Sequence, residues 1–156
     1  MGIALTLQEY LDDRHVSYDV MLHKRTHCSN DTARASHVPG DRLAKAVVLT
    51  REGGFIVAVV PATARVRVDV IERMLHCPVE LASEEEIVEL FPDCETGAVP
   101  PLPDAYAVDA FMDESFDSQP DVYLEGGDHR SLIHISGPEF RSLMKDARRA
   151  RIAAPE

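Results

Sequence analysis

A single lysine opens the most strand-like run of the chain. Lys45 precedes Ala46-Val47-Val48-Leu49-Thr50. Side chains alternate along a strand, so Lys45 shares a face with Val47 and Leu49, while Ala46, Val48 and Thr50 take the other. Two readings are open. The stem can lie along the apolar face with its ammonium in solvent, or it can present one compact, movable cation at a pocket rim, suited to a phosphate or a carbonyl oxygen. A second candidate is the loop Gly97-Ala98-Val99-Pro100-Pro101. Glycine reaches backbone conformations closed to other residues and the paired prolines stiffen the chain after it, so the loop can aim N–H groups at a developing oxyanion or simply turn the chain. Gly126-Gly127-Asp128-His129 is a third: the histidine suits a general base or a ligand contact, and the glycines suit a hairpin turn. Asp113 and Glu114 come after a predicted strand and could serve a site or cap a turn.

The other histidines say less. His23 and His27 lie four apart with Cys28 adjacent, which invites a metal reading. No CxxC, HExxH or carboxylate at diagnostic spacing supports it, so neither metal nor cofactor is expected. His15, His37 and His76 read as ordinary surface or core residues. GxSxG, P-loop and GxGxxG patterns are missing, which removes the serine-hydrolase, NTPase and dinucleotide signatures.

These groups need elements to position them. Thr6-Leu7-Gln8-Glu9 reads as a capping box for a helix to about His15. Val16 to Leu22 suits a strand, and Ser29-Asn30-Asp31 offers caps for a short helix to about Ser36. Lys45–Leu49 and Phe55–Val60 are β-rich runs joined by Arg51-Glu52-Gly53-Gly54, a hairpin signal. A helix is predicted over Val68–Leu75 and a strand over Val79–Leu81. Ser83-Glu84-Glu85-Glu86 is a second capping box, opening a helix to about Phe91-Pro92 with acids at the positive end of its dipole. Further strands are predicted at Ala105–Val108, Val122–Leu124 and Leu132–Ile135, and Pro138 places the start of a last helix running to about Ala150. The sum is an α/β chain of the α+β type: a mixed, barrel-like sheet of about seven strands flanked by helices.

The 156 residues suit one domain, 1–156, with no linker or repeat to divide it. No apolar run is long enough for a membrane span and no signal pattern opens the chain. Three cysteines, an odd number without CxxC spacing, argue against a disulfide framework. The expectation is a cytoplasmic protein without a membrane partner. Net charge is −11, unevenly spread: residues 77–128 hold fifteen acids and no Lys or Arg, whereas residues 129–156 hold six basic and three acidic side chains. Phosphates demand cations, so RNA contact is expected near Arg141, Lys145, Arg148, Arg149 and Arg151, or on the first half of the chain.

Taken in order, several stretches resemble the YbaK/prolyl-tRNA-synthetase-associated aminoacyl-tRNA editing domains: His23 after the first strand, a small helix with Thr32, Ala33 and Ala35, then Ala44-Lys45-Ala46-Val47-Val48-Leu49, Val59-Val60-Pro61-Ala62, Arg67-Val68-Asp69, Leu81 to Glu86, Gly97 to Pro101, Val108 to Glu114, and Tyr123 to Ser136. The match covers about residues 6–146. The resemblance implies a barrel-like fold and an enzyme that hydrolyses the ester between a wrong, small amino acid and a non-cognate tRNA such as tRNA-Pro, acting in trans. It implies Lys45, Gly97, Asp113 and His129 as catalytic residues, and His23, Ala46, Val99, Pro100, Pro101 and Gly127 around the substrate. The implied partners are the aminoacylated tRNA acceptor end and a synthetase. Where many relatives have a polar residue after the lysine this chain has Ala46, and its histidine segment reads Gly-Gly-Asp-His-Arg. Two other readings stand beside editing: a non-catalytic tRNA- or synthetase-binding module on the same fold, and hydrolysis of a small ester without RNA.

Overall fold

The computed structural model describes residues 2–23, 32–33, 38–95 and 97–155. Within them a mixed sheet runs in the order β1 (Asp19–Leu22), β8 (Ser131–Ser136), β7 (Asp121–Glu125), β2 (Leu43–Arg51), β3 (Gly54–Pro61), β6 (Asp109–Asp113), β9 (Arg148–Ala150), with β5 (Val79–Leu81) on the far half of β2. A two-stranded ribbon pairs β4 (Ala64–Val66) with β10 (Ala153–Pro155). Helices α1 (Leu5–Asp13), α2 (Val68–Leu75), α3 (Glu84–Leu90) and α4 (Gly137–Leu143) flank the sheet, giving the mixed α+β architecture anticipated from the strand and helix patterns.

The β2–β3 hairpin is the centre of the fold, antiparallel from Ala44↔Pro61 to Arg51↔Gly54, and it turns through Gly53 at φ 85°, a left-handed position that suits glycine. Alternation along its strands divides the core in two. Ala44, Val48, Val57 and Val59 join Met112, Leu124 and Ile133 beneath α1, α4 and Phe91. On the opposite face Leu49, Ile56, Ala58, Val60 and Phe111 pack with Ile71 of α2. Farther along that second face, Leu43, Ala62 and Leu132 pack with Ala33 and Val38.

Several boundaries fall elsewhere than the sequence patterns place them. Helix α1 starts at Leu5 with Ala4 as its cap residue and no side-chain cap. Ala4 is fixed by its N–H donating to the Gly126 carbonyl at 2.8 Å, and the Thr6 amide is satisfied by Asp93 Oδ2 at 2.8 Å, a long-range substitute for the local capping box. The first strand shortens to Asp19–Leu22 because it is an edge, paired among the described residues with β8 alone, and Leu22 is 78% exposed. Instead of a strand at Ala105–Val108 there is a 3₁₀ turn, Pro103–Tyr106, ended by Ala107 at φ 57°; Pro103 presets the turn, and the strand begins at Asp109. The last helix stops at Leu143, and Arg148–Ala150 instead pairs in parallel with β6. The capping box at Ser83 forms in full: the Glu86 amide donates to Ser83 Oγ at 3.2 Å and the Ser83 amide to Glu86 Oε1 at 2.9 Å. Most of the short helix expected near Ser29–Ser36 lies outside the described residues, as do His27, Cys28 and His37; Thr32 and Ala33 are helical.

Candidate active site

Strand pairing sets Lys45 in a row of side chains that crosses the sheet. It lies opposite Val60 of β3. On its other side Leu43 and Ala44 pair in parallel with Tyr123 and Leu124 of β7, so Lys45 and Glu125 are the next residues of neighbouring strands, on one face. Glu125 in turn opposes Leu132 of β8, and Leu132 opposes Met21 of β1. The Lys45 ammonium donates to the Ala62 carbonyl at 3.5 Å, and the side chain is half-buried.

Two loops converge beyond the end of β7. The Glu95 amide donates to the Gly127 carbonyl at 2.7 Å, and the Ala98 amide to the Glu95 carbonyl at 3.0 Å. The Gly97 loop is thereby tied to the Gly126–His129 loop. Gly97 has φ 84°, while Ala98, Val99, Pro100 and Pro101 are buried, Val99 within the core under α1. Gly127 has φ 108°, and a Cβ there would meet the Ala4 methyl at 3.0 Å, so the position demands glycine on both counts. The Gly126 amide donates to the Ser131 carbonyl, closing the turn.

Asp128 organises the start of β8. Its Oδ1 accepts from the amides of Arg130 and Ser131 at 3.0 and 2.8 Å, and its Oδ2 from the Ser131 hydroxyl at 3.0 Å. Burial pushes this carboxyl's pKa upward, but those donors outweigh it and hold the group below the usual carboxylate range. His129 is held at φ 60° and is 6% exposed; a non-glycine residue in the left-handed region costs conformational energy that the surrounding turn must supply. His23 joins the same corner through its amide, which donates to the Arg130 carbonyl at 2.9 Å.

Of the residues expected at the site, the structure places Lys45 beside the end of β7 and ties Gly97, Gly127, His129 and His23 to the loop that follows that strand. Ala46 points the other way, into the core under α1, as alternation requires. Asp113 shares the Lys45 face, but its carboxylate is occupied by backbone: Oδ1 accepts from Ile152 and Ala153, both at 3.0 Å, and Oδ2 from Ser115 at 3.1 Å. It caps the 3₁₀ turn Glu114–Ser118 and anchors the chain end.

Glu125 was invisible in the sequence pattern, where it reads as the polar end of a strand before two glycines. Its shared parity with Tyr123 was the available signal. Burial pushes its carboxyl from 4.5 up to about 7; a hydrogen bond from the Thr32 side chain opposes the rise and a charged Asp128 adds to it. A carboxyl poised near neutrality beside a lysine is the kind of group found at functional sites.

Elsewhere, a cleft of about 530 Å³ lies between α1 and α4, lined by Tyr10, Arg14, Asp104, Glu139 and Lys145 among others. Arg14 lies 3.6 Å from Asp104 there and the Tyr10 hydroxyl donates to the same carboxylate, and the cleft borders the core opposite the Lys45 face. Three of the five cations expected to face RNA are engaged: Arg141 donates to the Phe116 and Gln119 carbonyls, Arg149 pairs with Asp117 at 3.1 Å and Arg151 with Glu114 at 3.9 Å. Among the described residues there is no cluster of three metal-ligating side chains, and no helix is long and apolar enough to cross a membrane.

Comparison with known proteins gives this corner a context. The family model of the aminoacyl-tRNA editing domain matches residues 23–143. Among solved structures, a candidate trans-editing enzyme for prolyl-tRNA synthetase is 25% identical with a TM-score of 0.82, over 96% of this chain and 95% of that one. A scaffold protein used in computational epitope grafting is 23% identical with a TM-score of 0.83, over 97% of each chain. A candidate signal transduction protein from Marinobacter aquaeolei VT8 shares the fold at 18% identity and a TM-score of 0.76, over 98% of this chain but 31% of its own. No curated protein matches.

Proposed function

The chain belongs to the aminoacyl-tRNA editing domain family, and from that premise we propose that it is a deacylase acting in trans on the ester between a small, wrongly attached amino acid and its tRNA, with tRNA-Pro as the model acceptor. The observation that carries this reading is the placement of Lys45 on the sheet face beside β7, whose end leads into the loop bound to the Gly97 segment by the 2.7 Å Glu95–Gly127 hydrogen bond. One cation and a stiff, glycine-opened loop are the parts that ester hydrolysis needs.

An aminoacyl ester is already activated, so orientation and electrostatics suffice without a covalent nucleophile. Lys45 grips the terminal phosphate or the acyl carbonyl. As water attacks the carbonyl carbon, negative charge gathers on the carbonyl oxygen. Collapse then breaks the acyl C–O bond, the attacking water's proton passes to the departing ribose oxygen, and free amino acid and tRNA result. The Ala98 amide is spent on Glu95, so the oxyanion is left to the other amides of the Gly97 loop. A hydroxyl of the terminal ribose helps to orient the water. His129 and His23, on the neighbouring turn, border the amino-acid pocket with Gly127, while Pro100 and Pro101 hold the loop rigid. Asp113 supports the site by fixing the end of β6. A synthetase that releases the mischarged tRNA is the natural partner in the cytoplasm.

The test is loss of label from a panel of aminoacyl-tRNAs, including alanyl-, cysteinyl- and seryl-tRNA on cognate and non-cognate acceptors. Hydrolysis confined to one or two mischarged species supports the proposal. Tight tRNA binding with no ester loss by the folded protein would select a non-catalytic binding module instead.

A further inference from the structure

One ionisable group on the Lys45 row is unused by the proposed chemistry. Glu125 is 1% exposed, and among the described residues its carboxyl meets one hydroxyl, that of Thr32, and forms no ion pair. Proteins seldom leave a buried carboxyl in that state, because the desolvation cost goes uncompensated. The groups facing it are few. Lys45 stands beside it on β2, Leu132 opposes it on β8, Thr32 lies near its carboxyl, and Asp128 comes after two glycines. Lys45 does not complete it, since no hydrogen bond joins the two and the ammonium lies on the Ala62 carbonyl.

A buried carboxyl without a counter-cation is completed by a cation that arrives with the ligand. Resting on the editing reading, we propose that Glu125 is the subsite for the α-ammonium of the aminoacyl group. The spacing fits. Neighbouring strands are about 4.8 Å apart, and an amino acid's α-nitrogen is two bonds from its ester carbonyl carbon. A substrate whose acyl end is gripped at Lys45 therefore lays its ammonium one strand over, at Glu125. The charge balance fits as well: Lys45 serves the anionic or electron-rich side of the scissile group, and Glu125 serves the single cation of the substrate. Because burial holds the carboxyl near neutrality, the arriving ammonium stabilises the anion, and the pair forms where little water competes. The site would then separate aminoacyl esters from plain acyl esters and from amine-blocked ones.

The experiment compares a mischarged tRNA with the same species N-acetylated, for the wild type and for Glu125→Gln. The wild type is expected to favour the free amine in kcat/KM by about thirtyfold or more, the worth of one hydrogen bond between charged groups. Glu125→Gln should bring that ratio to within about threefold while hydrolysing the N-acetylated species at the wild-type rate. A residue that only supported the fold would lower both substrates together and leave the ratio alone. A wild-type ratio near one overturns the proposal without any variant, and so does a folded Gln variant that keeps the wild-type ratio. If the wild type hydrolyses no free-amine species at all, the editing reading itself falls and takes this subsite with it.

Discussion

Replacing Glu125 with Gln should stabilise the protein above neutral pH, and the size of the effect comes from burial. The carboxyl is pushed from 4.5 to about 7 because folding removes it from water. The folded state thus holds a proton that the unfolded chain has already released. Stability from this source is fully present below pH 4.5, declines as pH rises through the interval, and is lost above about 7. At 1.36 kcal/mol for each pH unit the difference amounts to about 3 kcal/mol. Gln keeps the shape and cannot ionise, so its stability relative to the wild type should climb by about 3 kcal/mol between about pH 4.5 and 8.5. For a chain of this size that is about 6–10 °C in Tm. Thermal melts of both proteins at about pH 5 and pH 8.5 read it directly. A Tm difference that stays constant with pH would refute the reasoning, because an exposed or already paired carboxyl gives no such slope. A protein more stable without this acid also fits a group kept for binding at a cost in stability.

Gly127→Ala should lower stability by about 2 kcal/mol, since it combines a left-handed φ with a Cβ set against Ala4; an unchanged denaturation midpoint would count against the described turn. Asp113→Ala should cost about 3 kcal/mol by orphaning three backbone donors, while the fraction that stays folded keeps its specific activity. Loss of turnover with stability intact would instead give that carboxylate a chemical role. The KM for a tRNA substrate should rise with added salt, by a log–log slope of about 0.7 for each single-stranded phosphate contact, and a flat response would point to a small ester without RNA.

The elements legible in the sequence were those whose signals are local. The β2–β3 hairpin with its Gly53 turn, the helix Val68–Leu75 and the Ser83 capping box stand where patterning puts them. The misplacements share a different origin. Thr6 lost its local cap to Asp93, eighty-seven residues away, and the basic end of the expected last helix became a strand because β6 offered it an edge. Long-range partners of that kind leave no periodicity to read. The same holds at the site. Lys45 and the two glycine loops were singled out by residue type, and it is the pairing of β2 with β7 that brings them to one corner. The orientation of Ala46 is set by alternation already present in the strand pattern. The task of Asp113 depends on Ile152 and Ala153, which nothing near it in sequence announces. Glu125 was missed because its burial comes from the strands on either side of it.

The most direct test of the central claim is single-turnover deacylation of one mischarged tRNA by the wild type and by Lys45→Ala, with the fold of both checked by thermal melt. Lys45 is half-buried, so the melts are read first, and in a variant that stays folded ester loss should fall to the uncatalysed rate. Full activity in a folded Lys45→Ala protein would contradict the account.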